Sequence, residues 1–150
     1  MQARLGDPKA AARSYEVAIA LDPAVAGPRS NLAQMMDEQG RTEDAKKLRE
    51  EELELLKRDA ELLPEAGILQ YRIGLLHYVL GDEEQAEVRM KQAIKLTPEN
   101  PDFLMALTLL YEKQKRWSEA IRSATKLVEE SPDNMMFKQI LLNIEKAATQ

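Results

Sequence analysis

Residues Ile73–Pro98 read IGLLHYVLGDEEQAEVRMKQAIKLTP. Two helical patterns meet there at a tight break. The first carries Ile73, Gly74, His77 and Leu80, the break is Gly81-Asp82, and the second carries Ala86, Met90, Ala93 and Ile94 before Pro98 stops it. Small residues at 74, 86 and 93 let two helix backbones approach closely, and the larger ones fill the space beside them.

The pattern recurs. Pro64, Pro98 and Pro132 are spaced by 34 residues, as are Ala86 and Ala120, Ala11 and Ala45, and Gly6 and Gly40. A fixed period of that length marks a chain built of stacked supersecondary units. Between the second and third units the spacing changes. Pro23 to Pro64 is 41 residues, as is Gly40 to Gly81, an excess of seven. No Gly or Pro falls between Arg41 and Leu63, so the excess lengthens a helix instead of adding a loop. Seven residues are about two turns, roughly 10 Å of helix, and the packing stripe keeps its phase to within about 20°. One uninterrupted helix is expected from about Thr42 to about Leu62, with Thr42 as its N-cap. Its run Glu50-Glu51-Glu52 and Glu54 reads as a solvated face, or as an acidic ledge for a basic partner.

Ile73–Pro98 resembles one tetratricopeptide repeat (TPR): a large residue, then Leu-Gly, an aromatic, Ala-x3-Phe and Pro. Gln70 stands where the family prefers Trp, His77 where it prefers Tyr, and Met90 where it prefers Phe. The resemblance covers nearly the whole chain and implies an all-α fold, a right-handed α-solenoid of antiparallel helix pairs. About three and a half repeats are expected: a partial one over 1–25, one with a lengthened second helix over 26–66, and two more over 67–100 and 101–134. A C-terminal capping helix follows over 135–150. The first segment starts in mid-repeat, with only Met1–Leu5 of a preceding helix, so the chain is expected to be a piece of a longer array.

Composition narrows the function. There is no Cys, hence no disulfide framework, thiolate metal site or Cys nucleophile; this fits a reducing compartment such as the cytoplasm. A net charge of −5 argues against a general nucleic-acid binder. No apolar run approaches the roughly 20 residues that span a bilayer, so neither nucleic acid nor membrane is expected as a partner. His77 is the sole histidine and sits at a packing position. No catalytic constellation, metal site, phosphate loop or cofactor motif is present, so the chain reads as no enzyme.

The resemblance implies that the first helix of each repeat lines a concave groove. Carried over by position, this gives Asn31 and Gln34, then Ile68, Tyr71, Arg72, Leu75 and Tyr78, then Met105 and Leu109. The last two sets are largely apolar, as a surface that binds a peptide or helix would be. Some members of the family clamp a carboxylate with Asn, Lys and Arg. Asn31 and Arg72 match two clamp positions, but Ile68 stands where a Lys is needed. The leading reading is therefore a protein-interaction module. The alternative is a docking or structural domain of a larger multidomain protein, an enzyme or electron-transfer protein among the kinds that such arrays join. The last helix carries more apolar residues than one stripe holds, which suggests a homodimer burying Phe137, Ile140 or Ile144 between chains.

Overall fold

The computed structural model describes residues 7–150. Its helices are α1 (Pro8–Leu21), α2 (Gly27–Glu38), α3 (Thr42–Leu62), α4 (Gly67–Val79), α5 (Glu83–Leu96), α6 (Pro101–Lys113), α7 (Trp117–Glu130) and α8 (Met135–Ala148), and no strand occurs among the described residues. The fold is the all-α helical-repeat class that the periodicity predicts. The preceding helix expected at Met1–Leu5 lies outside the described residues. The chain divides into two compact units, one ending at Leu63 and one running from Pro64 to Gln150.

In the first unit α2 and α3 form an antiparallel pair, and Leu32, Ala33, Met36 and Ala45 are buried together. Ala12, Tyr15 and Ile19 of α1 pack on that cluster, yet α1 buries no residue fully and leaves Val17 and Leu21 exposed. Helix α3 runs unbroken for 21 residues, against 14 in α5 and in α7. Thr42 is its first residue and not its cap; Arg41 precedes it and supplies no capping bond, its guanidinium pairing with Asp44 at 2.8 Å. The glutamate run also differs from expectation. Glu50, Glu51 and Glu54 are exposed, but Glu52 is only 1% exposed and accepts a hydrogen bond from Ser30. Beside it Arg29 is buried. It donates to the carbonyls of Val25 at 2.7 Å and Pro23 at 2.9 Å, and to Glu51 at 3.3 Å.

The second unit holds α4–α8. Close approach governs α4 and α5. A Cβ on Gly74 would lie 3.2 Å from Met90 Cγ and 3.3 Å from the Ala86 carbonyl oxygen; one on Gly67 would lie 2.3 Å from Thr97 Oγ1. Gln70, where the family prefers Trp, is buried and accepts from Arg89 at 3.0 Å. In the next pair Thr108 replaces the small residue. It is fully buried, with its hydroxyl 2.8 Å from both the Leu104 carbonyl and Ser123 Oγ, so its polar atom is satisfied. Asn100 caps α6 and Asn134 caps α8. Phe137 packs with Leu104 and Leu127, and Ile144 with Leu107, Leu110, Ala120 and Ala124. Part of the wide apolar arc of α8 is thus spent on α6 and α7, with Ile140 half-buried beside Phe137 and Ile144. This corrects the dimer expectation for Phe137 and Ile144, which the chain's own core uses. Met135, Met136 and Leu142 remain exposed.

The α2–α3, α4–α5 and α6–α7 turns share one conformation. Gly40 and Gly81 have φ of 77° and 89°, and Lys115 occupies the same place in the α6–α7 turn with φ of 56°. A left-handed lysine costs about 1–2 kcal/mol, most of which glycine avoids. Lys115→Gly should therefore raise stability by about 1 kcal/mol, or about 2–4 °C in Tm for a chain of this size. Thermal melts read by circular dichroism check this; a variant that melts below the parent contradicts it.

Candidate functional site

The residues proposed from sequence are divided between the two compact units. Asn31 and Gln34 lie on α2 in the first unit, both exposed, with Gln34 bonded to Glu38 at 3.3 Å. The other seven belong to the second unit. Close packing of α4 on α5 turns one side of α4 inward and leaves the other for Ile68, half exposed, and Val79. Tyr71 stacks on Phe103 of α6, ring centres 4.7 Å apart and planes at 29°. Burial, and then the charge of Asp102, push its phenol up from the ordinary value. Arg72 is half-buried on the same helix.

Leu75, Tyr78 and Leu109 do come together. With Ala106 they wall a cavity of about 150 Å3, and Met90 and Leu110 also line it. Every side chain there is apolar apart from the Tyr78 hydroxyl. Met105 is not part of it; it packs instead toward Leu104, Leu127 and Phe137. Lys113 places its ammonium 4.5 Å from the centre of the Tyr78 ring, a cation–π contact. The same ammonium pairs with Glu83 of α5 at 2.8 Å. Of the residues expected from sequence, Leu75, Tyr78 and Leu109 line this cavity. Sequence reasoning missed Met90 and Leu110, whose periodic positions mark them only as core.

A wider furrow of about 660 Å3 lies beside α7, reaching Leu104, Tyr111 and Ser123. Charges of both signs line it, Arg122 and Lys126 against Glu119, Glu129 and Glu130, and it presents less apolar surface to a partner than the α4–α6 cavity does in proportion.

A charged network joins α5 to the α6–α7 turn. Glu87 accepts from Lys91 at 2.6 Å, from Arg116 at 2.6 Å and from the Tyr111 hydroxyl at 3.1 Å, and Arg116 sits 4.5 Å over the Tyr111 ring. Partial burial pushes the Glu87 carboxyl up, but the hydrogen bonds from Lys91, Arg116 and Tyr111 together outweigh it and hold the group below its usual range.

The class of protein follows from helix pairs stacked at a 34-residue period with an apolar face on the first helices: an α-helical repeat protein. Residues 71–134 match the family model of the tetratricopeptide repeat. A comparison with curated proteins finds no match. Among solved structures, a thermophilic TPR protein of Thermus thermophilus aligns with 24% identity over 94% of this chain and 82% of its own, at a TM-score of 0.68. A tetratricopeptide repeat protein from Parabacteroides merdae aligns with 21% identity over 94% of this chain and 52% of its own, at a TM-score of 0.70. The first TPR domain of Spaghetti (RPAP3), bound to the HSP90 peptide SRMEEVD, aligns with 15% identity over 83% of this chain and 96% of its own, at a TM-score of 0.61. The tetratricopeptide-repeat signature thus falls in residues 71–134, and the chain shares the fold of these structures. Such repeats generally act as scaffolds for protein–protein interaction.

Because Glu87 has a lowered folded-state value, the stability it contributes is fully present above its unfolded value and is lost as pH falls through the folded one. Its network is largely at the surface, so the contribution is about 1 kcal/mol at neutral pH. Glu87→Gln should melt below the parent at pH 7, and the gap should close between about pH 5 and pH 3. Paired melts across that range test this; a gap that persists undiminished at the acid end rules it out.

Proposed function

We propose that this chain is a non-catalytic protein-interaction module that holds a peptide or helical segment on the face formed by α4 and α6. The observation that carries this reading is the apolar cavity walled by Leu75, Tyr78 and Leu109, flanked by the exposed apolar side chains of Ile68 and Val79. Leu109 is itself 45% exposed although it lines the cavity. An apolar surface left open in this way is what an incoming side chain buries. Tyr71 and Arg72 border the same face, the tyrosine fixed by its stack on Phe103, so that part needs little ordering on binding. A carboxylate clamp of the kind some relatives use is not the mode proposed, because Ile68 replaces the required cation. Asn31 and Gln34 are not needed for this reading; the binding residues proposed are Ile68, Tyr71, Arg72, Leu75, Tyr78 and Leu109.

The test is selection of binding peptides from a random 12-residue display library, followed by amide-shift mapping on the labelled chain. Shifts should concentrate on α4 and α6 around Leu75, Tyr78 and Leu109. Tyr78→Ala should weaken the selected peptides about tenfold or more, with its helical spectrum intact. Peptides that map elsewhere, or that bind Tyr78→Ala and Leu109→Ser protein as tightly as the parent, overturn the reading.

A further inference from the structure

The cavity and its surroundings together say more about the ligand than the face alone. The space of about 150 Å3 is of the order of one branched aliphatic side chain at protein packing density, and its walls offer no charged group. Lys113 is not in the lining but stands over the Tyr78 ring that forms one wall. Its side chain is 53% exposed, and Glu83 is the carboxylate it pairs with, at 2.8 Å. An ammonium carries three donors, so the Glu83 carboxylate and the Tyr78 side chain do not exhaust it. Glu83 in turn is shared, since Gln114 Nε2 donates to it at 3.0 Å.

We propose that Lys113 is a specificity-determining residue of this face, and that the ligand it selects is an amphipathic segment with one aliphatic anchor in the Leu75–Tyr78–Leu109 cavity and an acidic side chain beside it. This rests on the binding face proposed above. The anchor fills the apolar space, and the acid meets the exposed side of the ammonium. Glu83 and the Tyr78 ring hold that ammonium in place beforehand, so pairing a second carboxylate costs little side-chain freedom. Lys113 acts by charge complementarity and not by bulk, so its effect is tied to the sign of the ligand's charge.

The experiment uses synthetic peptide triplets built on a binding sequence with a Leu anchor, in which one position near the anchor is Glu, Gln or Lys in turn. Affinities are measured by fluorescence anisotropy on the full chain. The Glu peptide should bind about fivefold tighter than its Gln twin, and the difference should shrink in high salt. Lys113→Met, which keeps the stem over Tyr78, should erase that difference while leaving the Gln peptide nearly unchanged. Lys113→Glu should reverse the order and favour the Lys peptide. Circular-dichroism melts matching the parent show that both variants fold. If Glu and Gln twins bind the parent equally, or the difference survives in Lys113→Met, the proposal is wrong even when shift mapping places the peptides at Leu75, Tyr78 and Leu109. If no peptide maps to that cavity, the binding face fails and this proposal with it.

Discussion

The close approach of α4 to α5 is the constraint on which the second unit depends. With no Cβ at Gly67 or Gly74, the α4 backbone lies against Ala93, Ala86 and the stem of Met90. Any larger residue would meet backbone oxygen or a side chain at or below ordinary contact distance. That fixes the rotation of α4 about its own axis. Ile73 and Leu76 then turn into the core, and Ile68, Leu75, Tyr78 and Val79 fall toward the other side. A helix three to four residues per turn cannot hide both sides against one neighbour. The apolar face on α4 and α6 is therefore a consequence of where the small residues sit.

Of the departures from the repeat pattern, Gln70, Thr108 and Lys115 are accommodated in three different ways. Gln70 replaces a large aromatic and recovers a partner in Arg89. Thr108 replaces a small residue, and the added hydroxyl is matched by Ser123 and by the Leu104 carbonyl, so the pair stays tight without an orphaned polar atom. Lys115 replaces glycine and finds no such match; it accepts the left-handed backbone that the turn imposes. The turn geometry thus outweighs side-chain preference there, because Arg116 N must still reach the Tyr111 carbonyl, at 2.9 Å, to end α6.

The fold was legible because period and punctuation are written in residue identity. Prolines and glycines mark the helix ends, and the alanines mark the contact stripe. The site was legible only in part. Periodic position says which side of α4 Leu75 and Tyr78 occupy, but not that Met105 turns toward Phe137 while Leu109 stays at the cavity. Those choices are set by α8, whose packing depends on Phe137 and Ile144 filling space between α6 and α7. No local signal carries that. The pairing of Lys113 is not local either: its partner Glu83 comes from the neighbouring helix, 30 positions away in sequence.

The long helix α3 shows why composition misleads where phase does not. Three consecutive glutamates suggest a face turned wholly to water. Yet Glu52 is seven residues beyond the buried Ala45, two turns on, and so falls on the same inner stripe as Leu53 and Leu56. A carboxylate there must be partnered or it costs several kcal/mol. Ser30 meets it from α2, and one residue earlier Arg29 meets Glu51 while tying down the Pro23 and Val25 carbonyls. Adjacent acids thus go to adjacent partners, one buried and one at the surface. Purely apolar contacts through Leu53 and Leu56 would tolerate a shifted pairing of α2 and α3. The two polar contacts do not, since a shift by a single residue separates both carboxylates from their donors. The register of the lengthened helix is therefore written in its charges as much as in its leucines.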